Sequence, residues 1–129
     1  MNTISRDELR RKLDRGERFE LVMTLSAFAY ETKHIPGSRR FESSEQMLAV
    51  LDPDDDIVVY CSAVYCPSSI WTYRLLERRG YTHVRRYEGG VVEWEEAGYP
   101  LERGSSPGQV ARRRRVTRRG IPRLDPAFT

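Results

Sequence analysis

The sequence predicts an α/β fold built on a mostly parallel sheet. Three observations carry that expectation. Short apolar, β-branched runs alternate with segments of helical periodicity, at a spacing that suits strand–helix–strand units. Ile57-Val58-Val59-Tyr60 is apolar throughout, as a strand covered on both faces is. Capping residues and glycines bracket the helical segments, giving each a start and a stop.

Taken in order, Ser5-Arg6-Asp7-Glu8 has the capping-box pattern, Leu9 and Leu13 follow at helical spacing, and Gly16 closes the first helix. Phe19 to Leu25 reads as a strand and Ala27 to Thr32 as a short helix. His34-Ile35-Pro36-Gly37 is a turn, because proline presets φ and glycine accepts positive φ. Ser38 to Phe41 is expected as a short strand. Ser43 and Gln46 form a second capping box, with Met47, Leu48 and Leu51 on one helical face. Ile57 to Tyr60 is the buried strand. Pro67 suits the first turn of the next helix, whose inner stripe is read as Ile70, Tyr73, Leu75 and Leu76, with Gly80 as its stop. Val84 to Tyr87 is a strand, Gly89-Gly90 a tight turn, and Val91 to Ala97 a short helix ending at Gly98.

Charge divides the 129 residues into two parts. Residues 103–129 hold eight arginines against Asp125 alone, a net +7, while residues 1–102 hold 14 basic and 18 acidic groups, a net −4. A folded domain over 1–102 and a basic, flexible tail over 103–129 are therefore expected. The run Arg112 to Arg119 lacks interleaved aromatics. It offers at most weak, salt-sensitive, nonspecific contact with nucleic acid or another anion. No apolar run approaches the roughly 20 residues that span a bilayer, so no membrane partner is expected. The N-terminus lacks the apolar core of a signal peptide, and two cysteines do not make a disulfide framework, so the expected location is cytoplasmic. Two cysteines and two histidines without C-x-x-C argue against a metal site, and no cofactor is expected.

The chemistry concentrates where the buried strand hands over to a helix, at Cys61-Ser62-Ala63-Val64-Tyr65-Cys66-Pro67-Ser68-Ser69. In parallel α/β sheets the ligand crevice lies at the carboxyl ends of the strands. A helix start offers unpaired N–H groups and a positive dipole end, which favour thiolate over thiol. Cys61 and Cys66 are the candidate reactive residues. Ser62, Ala63, Val64, Tyr65, Ser68 and Ser69 are the candidate substrate-binding residues, the two serines chiefly as helix-capping and loop hydrogen-bonders. His34 is read as structural, His83 and Trp71 as outward-facing, and Trp94 as packing the last helix. The glycine pair Gly89-Gly90 is not followed by Lys-Ser or Lys-Thr and is no phosphate loop.

Five pieces in register, His34-Ile35-Pro36-Gly37-Ser38, Ile57 to Cys61, Arg79-Gly80-Tyr81, Tyr87-Glu88-Gly89-Gly90 and Trp94-x-x-Ala97-Gly98-Tyr99-Pro100-Leu101, resemble the single-domain rhodanese-like family over about 100 residues. The resemblance implies a rhodanese-like fold of about five mostly parallel strands with helices on both faces. It also implies a sulfurtransferase in which Cys61 carries sulfane sulfur as a persulfide, taken from a small sulfur donor and passed to a thiol or protein acceptor. The chain departs from the family's Cys-x-x-x-x-Arg loop. Cys66 stands at the sixth position, matching a Cys-x-x-x-x-Cys-x-x-Ser variant through Ser69, and Met23 and Leu25 replace an upstream Asp-x-Arg. Without the loop arginine the site binds a dianion such as thiosulfate less well. Two alternatives stand beside the carrier reading: a two-cysteine thiol-redox protein using Cys61 and Cys66, and a non-catalytic rhodanese-fold binding module. A phosphatase of this fold is disfavoured, because no arginine closes the loop.

Overall fold

The computed structural model describes residues 1–104. Its elements, in chain order, are α1 (Arg6–Asp14), β1 (Glu20–Met23), α2 (Ala27–Thr32), α3 (Ser44–Val50), β2 (Ile57–Tyr60), α4 (Pro67–Arg78), β3 (Val84–Tyr87) and α5 (Gly90–Glu96). The three strands pair in parallel in the order β1-β2-β3, so β2 is central. Single parallel bridges extend the sheet at both edges, Thr3 beside Arg86 and Arg39 beside Val22. Among the described residues the sheet thus has three strands, fewer than the expected five, with an isolated bridge at each edge.

The expected strand over Ser38–Phe41 contracts to Arg39 for a local reason. Arg39 donates to Leu21 C=O and accepts from Met23 N–H, each at 2.9 Å. The next residue then turns its side chain back, and Arg40 Nε donates to Leu25 C=O at 2.8 Å. β1 is likewise shorter than the predicted Phe19–Leu25. Thr24 N–H makes a last bond to Tyr60 C=O at 3.0 Å, and Ser26 then caps α2.

Strand alternation divides the core into two layers. Leu21, Met23, Val58, Tyr60 and Tyr87 face α1, α2 and α5, with Leu9, Tyr30, Val91 and Trp94 packed on them. Val22, Ile57, Val59 and Val84 face α3 and α4, against Met47, Tyr73, Leu75 and Leu76. Helices therefore cover both faces, as expected of a parallel sheet.

The serine halves of both capping boxes form, but the Glu8 side chain pairs with Arg85 and that of Gln46 bonds one residue before its cap. Ser5 Oγ accepts from Glu8 N–H at 3.1 Å and Ser43 Oγ from Gln46 N–H at 3.0 Å, while Gln46 Oε1 accepts from Glu42 N–H at 2.7 Å. Gly16 terminates α1 with φ of 67°. The inner stripe of α4 differs from expectation. Ser69 and Thr72 are buried with Tyr73, Leu75 and Leu76, and Ile70 is only half-buried. The first inward position of the helix goes to Ser69 because a buried arginine meets it there.

Trp94 is buried between Tyr87 and Tyr99 and donates from Nε1 to Pro100 C=O at 2.8 Å. His34 is buried, stacked on Tyr30 at 3.7 Å. Its Nδ1 lies 2.7 Å from Tyr30 C=O, which only accepts, so Nδ1 carries a proton. Backbone bonds between His34 and Glu102 tie the chain end to this turn. Arg103 and Gly104, read as the start of the tail, bond back to Thr32 and Glu31 carbonyls of α2. The Arg112–Arg119 run lies outside the described residues. No helix among the described residues is long and apolar enough to cross a membrane.

Candidate functional site

The site begins with the rigidity of β2. Tyr60, the last residue of the central strand, points into the α1/α2/α5 layer. Its hydroxyl meets Ile35 N–H at 3.0 Å and Ser38 Oγ at 2.8 Å, so the His34–Gly37 turn is pinned to the strand that carries the cysteine. Burial pushes the Tyr60 hydroxyl pKa well above the ordinary tyrosine range. Cys61 follows, 1% exposed, at the carboxyl edge of the sheet.

The chain beyond Cys61 is clamped from α5. Cys61 C=O accepts from Val91 N–H at 3.1 Å and Ser62 C=O from Val92 N–H at 2.9 Å. This contact requires Gly90. It has φ of 65°, and a Cβ there would lie 2.5 Å from the Ser62 carbonyl and 2.6 Å from Cys61 O. The pair Gly89-Gly90 is therefore more than a turn, since its second glycine is part of the cysteine loop's seat. Sequence reading had no signal for that approach, because it is made across 28 residues.

Ala63 C=O accepts from Cys66 N–H at 3.0 Å, which curls the loop back on itself. Cys61 and Cys66 are joined as a disulfide, with Cα atoms 6.2 Å apart, inside the range such a bond spans. Cys66 is half-buried and is the N-cap of the 12-residue α4, with no side chain capping the helix. Pro67 lacks an N–H, and the remaining first-turn amides point toward the loop.

Val64 and Tyr65 form the outer tip, 47% and 91% exposed. Ser62 and Ala63 are half-buried at its base. Ser68 faces a cavity of about 450 Å³ bounded by the end of β1, the start of α3 and the first turns of α4, with Leu25, Phe41 and Trp71 among its walls. Trp71 is exposed, as read from sequence. Neither serine caps α4. Ser69 is fully buried and its hydroxyl is engaged elsewhere.

Its partner is Arg86, a strand residue that the sequence does not mark as part of the site. Arg86 lies on β3 opposite Val59 and is 3% exposed. Nε donates to Ser69 Oγ at 2.8 Å, one terminal nitrogen to Val64 C=O at 3.1 Å, and the other to Glu88 at 3.3 Å. A guanidinium thus holds both the loop and the helix start from beneath, although no arginine stands in the loop itself. The only sequence signal was strand alternation, which sets Arg86 on the same face as Val84, with Arg85 and Tyr87 on the other.

The arrangement sets a disulfide-joined cysteine pair, a guanidinium under the loop, a helix start with no side-chain cap and an open cavity side by side. Anionic sulfur is the species such a setting favours.

A protein-family model described as Rhodanese-like domain matches residues 5–97. Among curated proteins, the chain is 35% identical over 109 residues to the HTH-type transcriptional regulator Rv0324 of Mycobacterium tuberculosis, covering 83% of this chain and 47% of that protein. It is 33% identical over 94 residues to the sulfur carrier protein TtuD of Thermus thermophilus, covering 59% of this chain and 33% of that protein. The chain thus spans less than half the length of these relatives. Among solved structures, the BH2092 protein of Bacillus halodurans superposes with a TM-score of 0.73 at 21% identity, covering 81% and 77% of the two chains. A thiosulfate sulfurtransferase of Pseudomonas aeruginosa gives 0.67 at 23%, covering 81% of this chain and 20% of that one. At these identities the likeness is one of fold.

Proposed function

The chain belongs to the rhodanese-like family, and we propose that within it this protein is a sulfurtransferase-type carrier that holds sulfane sulfur as a persulfide on Cys61. The observation that carries the reading is the position of Cys61. It follows the last residue of the central parallel strand and opens a loop that returns to the uncapped start of α4. The thiolate of Cys61 attacks the sulfane sulfur of a small donor, the donor's leaving group departs, and the outer sulfur passes to a thiol of a small molecule or protein. Loop and helix amides stabilise the anion, and Arg86 adds positive charge beneath the loop. The names of relatives described as a sulfur carrier and as a putative thiosulfate sulfurtransferase agree with this class of chemistry.

The test uses reduced Cys66→Ser and Cys61→Ser proteins, each incubated with thiosulfate, 3-mercaptopyruvate or inorganic polysulfide. Intact mass of Cys66→Ser is expected to rise by about 32 Da, one sulfur, with the extra sulfur mapped to Cys61 and absent from Cys61→Ser. No adduct from any of the three donors, or an equal adduct in Cys61→Ser, refutes the assignment.

The Cys61–Cys66 disulfide favours a second reading, a thiol-redox module that cycles between dithiol and disulfide without sulfur transfer. It predicts a titratable disulfide and no adduct with any donor.

A further inference from the structure

We propose that Cys66 resolves the Cys61 persulfide, so that the protein releases hydrosulfide and works as a dithiol-dependent reductase of sulfane sulfur; this rests on the carrier reading above. Three observations support it. The two sulfurs are within bonding reach in the folded protein, with Cα atoms 6.2 Å apart. Cys66 is the N-cap of a 12-residue helix whose first turn no side chain caps, a setting that favours its thiolate. The clamp on Cys61 and Ser62 from α5, together with the Arg86 grip on Val64 and Ser69, holds both ends of the loop so that the thiols stay opposed.

The step balances without an outside oxidant. The Cys66 thiolate attacks the inner sulfur of the Cys61 persulfide. A Cys61–Cys66 bond forms, the bond to the outer sulfur breaks, and hydrosulfide leaves with that electron pair. The sulfane sulfur is reduced to the sulfide level while the two cysteine sulfurs are oxidised to a disulfide. Hydrosulfide is a weaker base than an alkyl thiolate and so leaves readily. A dithiol reductant then reopens the bond by two successive exchanges. It enters at the Cys66 sulfur, because that residue is half-buried while Cys61 is 1% exposed, and it expels the Cys61 thiolate. Each turn consumes one sulfane sulfur and one dithiol, and yields hydrosulfide and an oxidised dithiol.

Handing sulfur onward from Cys61 does not by itself require an opposed second thiol. A partner thiol at this place shortens the life of the persulfide. The chemical class of substrate follows: polysulfides or low-molecular-weight persulfides, with a dithiol as co-substrate.

The test compares wild type with Cys66→Ser, a variant expected to fold because serine is a favoured N-cap. Both are reduced, loaded with inorganic polysulfide, desalted in the cold and warmed without an acceptor. Cys66→Ser is expected to keep its adduct of about 32 Da. Wild type is expected to lose the adduct, to show the mass of the disulfide, two hydrogens below the reduced protein, and to release about one equivalent of hydrosulfide at a rate at least tenfold that of the variant. Dithiothreitol is expected to restore a second round. Equal retention of the adduct by both proteins overturns the resolution step and leaves the carrier reading standing. An extra sulfur mapped to Cys66 in wild type, with no hydrosulfide released, overturns it in favour of a relay between the thiols. Failure of Cys66→Ser to take up sulfur from polysulfide overturns this proposal, and the carrier reading falls with it where thiosulfate and 3-mercaptopyruvate also leave no adduct.

Discussion

Replacing Arg86 by methionine removes the guanidinium while keeping most of the stem volume on β3. The consequences differ at its three partners. Glu88 is half exposed and returns to water at little cost. Val64 belongs to the exposed loop tip, so its carbonyl regains a water partner. Ser69 has no such recourse, because it is fully buried and its hydroxyl loses the bond from Nε at 2.8 Å. An unpartnered buried hydroxyl costs about 1–3 kcal/mol, and losing the charge-assisted bond to Val64 adds about 1 kcal/mol. Removing a buried cation and its desolvation penalty offsets part of this. The net expectation is a loss of about 2–3 kcal/mol, which in urea is a fall of about 1–2 M in the unfolding midpoint with an unchanged slope. Arg86→Lys keeps the charge but cannot span Ser69 and Val64 together, and is expected to fall about midway. Combining Arg86→Met with Ser69→Ala isolates the contact, with an expected coupling of about 1–2 kcal/mol. A midpoint within about 0.3 M of wild type, or additivity of the two substitutions within about 0.5 kcal/mol, refutes the claim that Arg86 holds the loop.

Gly90→Ala places a Cβ against the Cys61 and Ser62 carbonyls and forces a non-glycine residue to φ of 65°. It is expected to destabilise by at least about 2 kcal/mol in urea unfolding and to slow formation of the Cys61–Cys66 disulfide, while Gly98→Ala, with φ of 78° but no neighbour within 4 Å, is expected to cost only about 1–2 kcal/mol. At high pH the buried Tyr60 hydroxyl stays protonated in the folded protein while the unfolded chain ionises. Stability is therefore full below about pH 10 and falls as pH rises above it, by about 1.4 kcal/mol per pH unit for this one group, as measured by urea midpoints from pH 8 to 12. At the acid end, Lys12 at 2.8 Å and the neighbouring Arg15 hold the Glu17 carboxyl down to about 2. Its contribution is present above the ordinary carboxylate range and is lost as pH falls from about 4 through about 2. NMR titration of Lys12→Met is expected to show the Glu17 carboxyl moving back up toward the ordinary carboxylate range.

Much of this molecule is written locally. Ser5, Ser43 and Gln46 each find a partner three or four residues away. Ile57 to Tyr60 is apolar on both faces because helices cover both, and Pro67 marks the start of α4 because its ring fits only a first turn. Such features depend on near neighbours, so the strands, the helices and the place of Cys61 at a strand end were legible. The turn His34–Gly37 was legible as a turn, but its bond to the cysteine strand through Tyr60 was not.

The sequence by itself determined the order of strands and helices, the two-sided burial of β2, and the fact that the only two thiols flank a strand-to-helix turn. The tertiary structure alone decided how that turn is held. Arg86 comes to Ser69 from 17 residues away, Gly90 meets Ser62, and Cys66 closes on Cys61. The reason is physical. Periodicity and capping report the environment of a residue along its own element, whereas a guanidinium under a loop or a glycine against a carbonyl depends on which elements the sheet sets side by side.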